Sequence, residues 1–182
     1  NKELSNLIGY NFRLTEIQAA IGIEQLKKLN KIIVQKQKTA LKLIDGLKYL
    51  KGLKLPITRK GCSHAFYNFA MQIDTKVTKI SRDIIFRNLK HEGVPVSNGY
   101  PSIHLLPLFK KKIAFGKSHF PWSHSKKHKK ISYKKGICPN AEYLNDYSYI
   151  GINMWKYNYS NKNILEIVKA FHKTWNKLKI NK

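Results

Sequence analysis

A chain of 182 residues that is 42% hydrophobic and 12% aromatic is long enough to bury a substantial core and too apolar to stay disordered. Thirty-five Lys and Arg face ten Asp and Glu, a formal net charge of +25, yet Arg13, Arg59, Arg82 and Arg87 are the sole arginines, too few for a protein that reads bases bidentately. No apolar run approaches the roughly 20 residues of a membrane-spanning helix, and the opening residues lack the apolar core of a signal peptide.

In chain order, the first feature is LIGYNFRLTEIQAAIG, residues 7–22. Thr15, with Gln18 three residues on, predicts a capping box, which is all that a helix start requires. Asn11 and Arg13 are surplus to it, either a solvated turn or groups with chemistry to do. From Leu14 to Leu50 the apolar residues recur at helical intervals: Leu14, Ile17, Ile21, Leu26, Leu29 and Ile33, then Ala40, Leu43, Ile44 and Leu47, with lysines opposite. One helix of that length would run about 55 Å at about 1.5 Å per residue, longer than a small domain is wide. The pattern therefore predicts a bend near Asn30 or a helix that spans two domains, ended by Gly52 and Pro56.

Residues 65–74, AFYNFAMQID, alternate as a half-buried strand does. Ser81 predicts the cap of a helix with Ile84, Ile85 and Leu89 on its apolar face, stopping at Gly93. Residues 94–97, VPVS, read as a short strand. Between Asn98 and Pro139, Pro101, Pro107, Pro121 and Pro139 break any long element, while Tyr100, His104, Phe109, Phe115, His119, Phe120 and Trp122 gather there. A loop region of that length inside a domain serves binding or acts as a lid. Residues 142–147 predict a short helix and 149–154 a strand. Ser160 then caps a final amphipathic helix that buries Ile164, Ile167, Val168, Phe171, Trp175 and Leu178. The order predicts an α+β domain, with three short strands in an antiparallel or mixed sheet and helices on one face.

The chemistry is narrowed by what is missing. There is no Gly-rich phosphate loop, no GxSxG and no HExxH. Glu92, Glu142 and Asp146 are the acidic residues beside the loop region, which gives no support to a paired-carboxylate hydrolase. Cys62 and Cys138 are isolated and form no CxxC pair, as in a reduced cytoplasmic protein. His119, His124, His128 and Cys138 hint at zinc, but Lys126, Lys127, Lys129 and Lys130 crowd the same segment and repel a dication. A low-GC coding bias accounts for abundant Lys, Asn and Ile together, whereas nucleic-acid binding accounts for Lys alone. The alternative is a stand-alone basic module that binds nucleic acid or another polyanion through residues 126–130.

The block GYNFRLTEIQAAIGIEQLKKL (9–29) resembles the DegT/StrS family of sugar aminotransferases, pyridoxal-phosphate enzymes of the aspartate-aminotransferase fold. The likeness continues through EGVPVSNGYPSIHLLPLF (92–109), FPW (120–122), KGICPNAEYL (135–144) and INM (152–154), in the family's order. The resemblance implies the small domain of that fold, with residues 1–29 as the end of the large domain plus an interdomain helix and 30–182 as the small domain. It implies amination of a keto-sugar or keto-cyclitol, free or nucleotide-linked, with glutamate or glutamine as donor, in a cytoplasmic homodimer with composite active sites. No membrane and no nucleic acid take part in that scheme. By the same resemblance Asn11 binds the pyridoxal 5'-phosphate phosphate of the partner subunit, and Arg13, Tyr100 and His104 border the substrate. The lysine that carries the cofactor, the acidic group on its pyridine nitrogen and the stacking aromatic all fall upstream of Asn1, so no catalytic lysine is assigned in this chain. Asn stands where a start methionine would, and the chain is expected to continue upstream.

Overall fold

A computed structural model of the chain describes residues 13–115 and 119–180. Two compact units are formed: one from Thr15–Gly99 with residues 146–180, the other from Tyr100–Asn145 with Arg13 and Leu14.

The first unit begins with helix α1, Glu16–Leu47. Thr15 and Gln18 make the reciprocal capping box, Oγ1 accepting from Gln18 N at 3.3 Å and the Gln18 side chain accepting from Thr15 N at 3.0 Å. The helix is continuous through Asn30, with no proline there to interrupt its ladder. Its two halves differ. Leu43 and Leu47 are fully buried, whereas Leu14, Ile17 and Leu26 are 71%, 75% and 68% exposed.

After α1 come strands β1 (Leu53–Lys54) and β2 (Phe69–Ile73), and helices α2 (Thr75–Thr78) and α3 (Arg82–His91). Strand β3 (Val96–Ser97) follows; β4 (Tyr149–Ile152) and helix α7 (Asn161–Lys177) complete the unit. The sheet is antiparallel throughout, in the order β1-β2-β4-β3. It has four strands where the pattern marks three. The extra one is only two residues long, too short to show a period, and pairs Leu53 with Ile73. Alternation in β2 is as expected: Phe69, Met71 and Ile73 are buried, and Ala70 and Gln72 exposed. The strand starts later than its sequence pattern because Phe66 takes a left-handed backbone (φ 48°) that ends extended pairing.

Helices α1, α3 and α7 supply the rest of the core, chiefly Leu43, Leu47, Ile85, Leu89, Phe171 and Trp175. Burial of each such side chain is worth roughly 1.5–3 kcal/mol. Helices α1 and α7 approach closely at Gly46, where a Cβ would lie 2.6 Å from a Val168 methyl. Nearby, the His172 ring bonds Gly46 O at 2.9 Å, and the Trp175 indole N–H donates to Lys51 O at 2.9 Å. Ser160 and Asn163 form the capping box of α7. Ser81 precedes α3 as expected but makes no side-chain cap bond.

Arg82, at the start of α3, is 5% exposed. Its guanidinium donates to three carbonyls, Asn98 O, Tyr149 O at 2.8 Å and Asp146 O at 2.9 Å, while Nε meets Asp83 at 2.6 Å. Asn98 lies just before the chain leaves this unit and Asp146 is where it returns. One side chain thus ties together the two ends of a 46-residue excursion. Replacement of Arg82 by Ala strips these carbonyls of their donor and is expected to cost about 3 kcal/mol in urea unfolding. Arg82→Lys should recover less than half, since one ammonium cannot reproduce the planar fork. A loss under about 1 kcal/mol for Arg82→Ala would refute this role.

Candidate functional site

The second unit is a chain of short turns, where the sequence predicts loop. A 3-10 turn spans Ile103–Leu105 and is followed by helix α4 (Pro107–Lys110). Another 3-10 turn covers Trp122–His124, then come α5 (Lys126–Lys129) and α6 (Pro139–Tyr143). The short helix expected over 142–147 is split between α6 and a π-turn, Leu144–Ser148. Pro107 and Pro139 each occupy the first turn of a helix, where a missing N–H is harmless.

His104 and Glu142 form the centre of this unit. They are 10% and 8% exposed, and Nε2 of His104 lies 2.8 Å from Oε1 of Glu142. Both carboxylate oxygens of Glu142 also accept from Gly136 N at 2.8 Å, and Oε1 accepts from Cys138 N at 3.3 Å. Burial pushes the Glu142 carboxyl up, but the Gly136 N–H, the His104 ring and the Cys138 N–H together outweigh it and hold it below its ordinary value. An ionised carboxylate can only accept, so Nε2 of His104 carries the proton, and in the neutral ring Nδ1 is left as an acceptor. Glu142 thus ties His104, in the YPSIH segment, to the KGICPNAEY turn 38 residues away.

Glu142 escapes the sequence reading as a partner of His104. The available signal is its isolation, since no other acidic residue occurs between Gly93 and Asn145. Tyr100 begins the same unit and is 67% exposed. Arg13 is exposed, with no ion-pair partner among the described residues. No hydrogen bond or ring contact among the described residues joins Arg13, Tyr100 and His104 to one another. Asn11 lies outside the described residues. Among the described residues no group of His, Cys, Asp or Glu could hold a metal ion, and no helix is long and apolar enough to cross a membrane.

A separate hollow of about 380 Å³ in the first unit is lined by Glu92, Tyr157, Tyr159 and Glu166 among others. Its carboxylates are already engaged: Glu92 by Lys173 at 2.7 Å, and Glu166 more loosely by Lys162 at 4.0 Å. Burial, helped by the nearby Tyr157, pushes the Tyr159 phenol up to about 12, and it stays a neutral donor to Asn153 O.

The long capped helix and small antiparallel sheet, with a proline-rich unit between two of its strands, define a domain of the pyridoxal-phosphate aminotransferase fold. The S. venezuelae protein DesV superposes on 95% of this chain with a TM-score of 0.67 at 20% identity, while the chain covers 40% of DesV. The model of the DegT/DnrJ/EryC1/StrS aminotransferase family matches residues 1–135, and the chain belongs to that family. An uncharacterized protein of Methanocaldococcus jannaschii is 31% identical over 136 residues, 75% of this chain and 31% of that protein. GDP-perosamine synthase of Vibrio cholerae is 27% identical over 137 residues, 73% of this chain and 36% of the synthase. The chain thus spans about a third of the length of these curated relatives.

Because Glu142 has a depressed folded-state pKa, its contribution is complete above the ordinary carboxylate range and lost as pH falls through the folded value. The Gly136 amide resonance should therefore titrate in acid, with its midpoint below the ordinary glutamate value. Glu142→Gln should abolish that titration. A midpoint at or above the ordinary glutamate value would refute the arrangement.

Proposed function

We propose that the chain is the C-terminal part of a pyridoxal-phosphate aminotransferase that gives an amino group to a keto-sugar or keto-cyclitol in amino-sugar biosynthesis. The observation that carries this reading is the family match over residues 1–135, which takes in both the GYNFR motif and the segment around His104. The relative named GDP-perosamine synthase supports a sugar acceptor, free or nucleotide-linked. Glutamate or glutamine is the donor, and the enzyme is a cytoplasmic homodimer.

When bound, pyridoxal phosphate supplies the electron sink for amino transfer. The residues at the start of α1 fit the phosphate end of that group. A helix N-terminus favours a dianion, although Glu16 in the first turn offsets part of that field. Arg13, exposed and without an ion-pair partner among the described residues, is left to meet an anionic group of the substrate. Asn11 donates an amide hydrogen bond to the phosphate held by the partner subunit without adding charge. His104, its Nε2 occupied by Glu142, offers Nδ1 to a sugar hydroxyl, and the exposed phenol of Tyr100 binds a second polar group of the substrate.

The division into residues 1–29, the end of a large domain with an interdomain helix, and 30–182, the small domain, belongs to the same reading. The exposed apolar side chains of Leu14 and of the first half of α1 support it, because a large domain packed on Leu14, Ile17 and Leu26 would cover them. The lysine that carries the cofactor then comes from upstream of Asn1.

The test is to express the reading frame that includes the sequence upstream of Asn1 and measure glutamate-dependent amination of nucleotide-linked keto-sugars. Activity is expected, and Asn11→Ala should weaken cofactor retention on dialysis by about tenfold or more, the worth of one hydrogen bond to a charged group. An upstream sequence with no lysine-bearing domain would defeat the reading. So would unchanged cofactor affinity in the Asn11 variant, for the role given to that residue.

A further inference from the structure

Ten Asp and Glu side chains serve a chain of net charge +25, and one of them, Glu142, is buried against a histidine ring. Elsewhere the chain fixes half-buried histidines with backbone groups alone. The His172 ring meets Gly46 O at 2.9 Å, and His64 Nδ1 accepts from Phe66 N at 2.7 Å. A buried carboxylate carries a desolvation cost that only several donors offset, so its use at His104 calls for a reason beyond packing.

The ring of His104 is held at both ends. Its backbone is pinned by the 3-10 turn, in which Leu105 N donates to Ser102 O at 2.9 Å and Leu106 N to Ile103 O at 3.0 Å. Its Nε2 donates to Oε1 of Glu142 at 2.8 Å, and that carboxylate is itself fixed by the Gly136 and Cys138 amides. With main chain and Nε2 both tied, the neutral ring keeps one orientation and one tautomer. The side chain is nine-tenths buried, and Nδ1 has no partner among the described residues.

A bare Nδ1 accepts and cannot donate. It takes a hydrogen bond from a hydroxyl and gives none to a carbonyl or ether oxygen. A ring free to turn over or to change tautomer would serve either kind of partner. A site built to bond a hydroxyl rejects an analogue that lacks it, because the site's own buried polar group is then left unpaired. Tyr100 cannot impose the same choice: its phenol both donates and accepts, and at 67% exposure it is solvated.

We propose that Glu142 is a positioning residue that fixes His104 as a pure acceptor, and so selects sugars presenting a hydroxyl at that point over those presenting a keto or ether oxygen or a bare methylene. Glu142 acts through the imidazole and need not touch the substrate. This selection rests on the aminotransferase reading, in which His104 borders the sugar, and adds to it the chemistry that the position admits.

Two measurements test it. Nitrogen NMR of the histidine-labelled chain in alkaline buffer reads the tautomer, since a protonated and a bare ring nitrogen resonate far apart. His104 is expected to show Nε2 protonated and Nδ1 bare. Glu142→Ala should draw the two resonances toward each other, because neither tautomer is then imposed. Glu142→Gln keeps an oxygen for the same donors and should restore the wild-type pattern, which separates lost positioning from a lost fold. The second measurement is KM of the enzyme expressed with the sequence upstream of Asn1, for free and GDP-linked keto-hexoses and their mono-deoxy derivatives. Removal of one particular hydroxyl should raise the wild-type KM by about tenfold or more. In Glu142→Ala that ratio should fall to about twofold or less, with kcat for the parent sugar changed less than KM. A protonated Nδ1 in the wild type overturns the proposal, as does a deoxy ratio that Glu142→Ala leaves unchanged. An equal fall in kcat for parent and deoxy sugars marks a purely structural role and overturns it as well. A wild-type enzyme that aminates no keto-hexose defeats the aminotransferase reading and the selection with it, whereas amination with an unchanged ratio defeats the selection alone.

Discussion

The excursion from Gly99 to Asp146 leaves the sheet at one strand and re-enters at another, and such a detour costs chain entropy that grows slowly with its length. Something must hold its two ends in register, or β3 and β4 would lose their pairing of Val96 with Ile152 and Ser97 with Gly151. The Arg82 guanidinium does this. A single donor fork reaches Asn98 O on one side and Asp146 O and Tyr149 O on the other. The partner carboxylate, Asp83, is 60% exposed, so its attraction is screened and the carbonyls carry most of the effect. With the ends fixed, the unit between them can be assembled from short turns without disturbing the core of the first unit.

Within that unit the same logic repeats on a smaller scale. Glu142 is a single acceptor group that gathers the Gly136 and Cys138 amides and the His104 ring. A chain of net charge +25 has few carboxylates to place, and those with lowered pKa values sit where backbone donors or lysines need an acceptor. Asp74, held down chiefly by Lys54, also caps α2 through Lys76 N. Glu92, held down chiefly by Lys173, joins the end of α3 to α7. These groups contribute above their ordinary pKa range and fail together in acid, when the excess of positive charge is greatest.

What the sequence discloses follows from the range of the interactions. The two capping boxes, the 3.6-residue stripe of α7 and the alternation of β2 are local, and each is legible from its own residues. The α+β class follows from the order of such elements, and the aminotransferase family from the resemblance of its sequence blocks. Strand β1 is too short to carry a period, and it exists only because Ile73 and Gln72 offer it a partner. The π-turn over Leu144–Ser148 and the left-handed Phe66 have no local signature either. Arg82 lies on a helix that reads as amphipathic, and nothing nearby in sequence marks it as buried, because its carbonyl acceptors are 16 to 67 residues away. Glu142 pairs with a histidine 38 residues earlier. Of the residues that resemblance assigns to the site, His104 has a built environment, Tyr100 and Arg13 are exposed, and Asn11 lies outside the described residues.

Abundant lysine alone carries little meaning in this chain, since coding bias raises lysine, asparagine and isoleucine alike. Coding bias does not, however, remove aspartate and glutamate from one stretch while leaving ten acidic residues elsewhere. On α1 and α7 lysines alternate with Glu24, Asp45 and Glu166, and short-range pairs such as Lys27 with Glu24 and Lys48 with Asp45 disperse the charge. Between Glu92 and Glu142 the sequence itself supplies no acidic residue, and five of those lysines line one hollow. The compositional trend and the local arrangement therefore have separate causes. The first is what a low-GC coding bias would produce, and the second is a local concentration of positive charge.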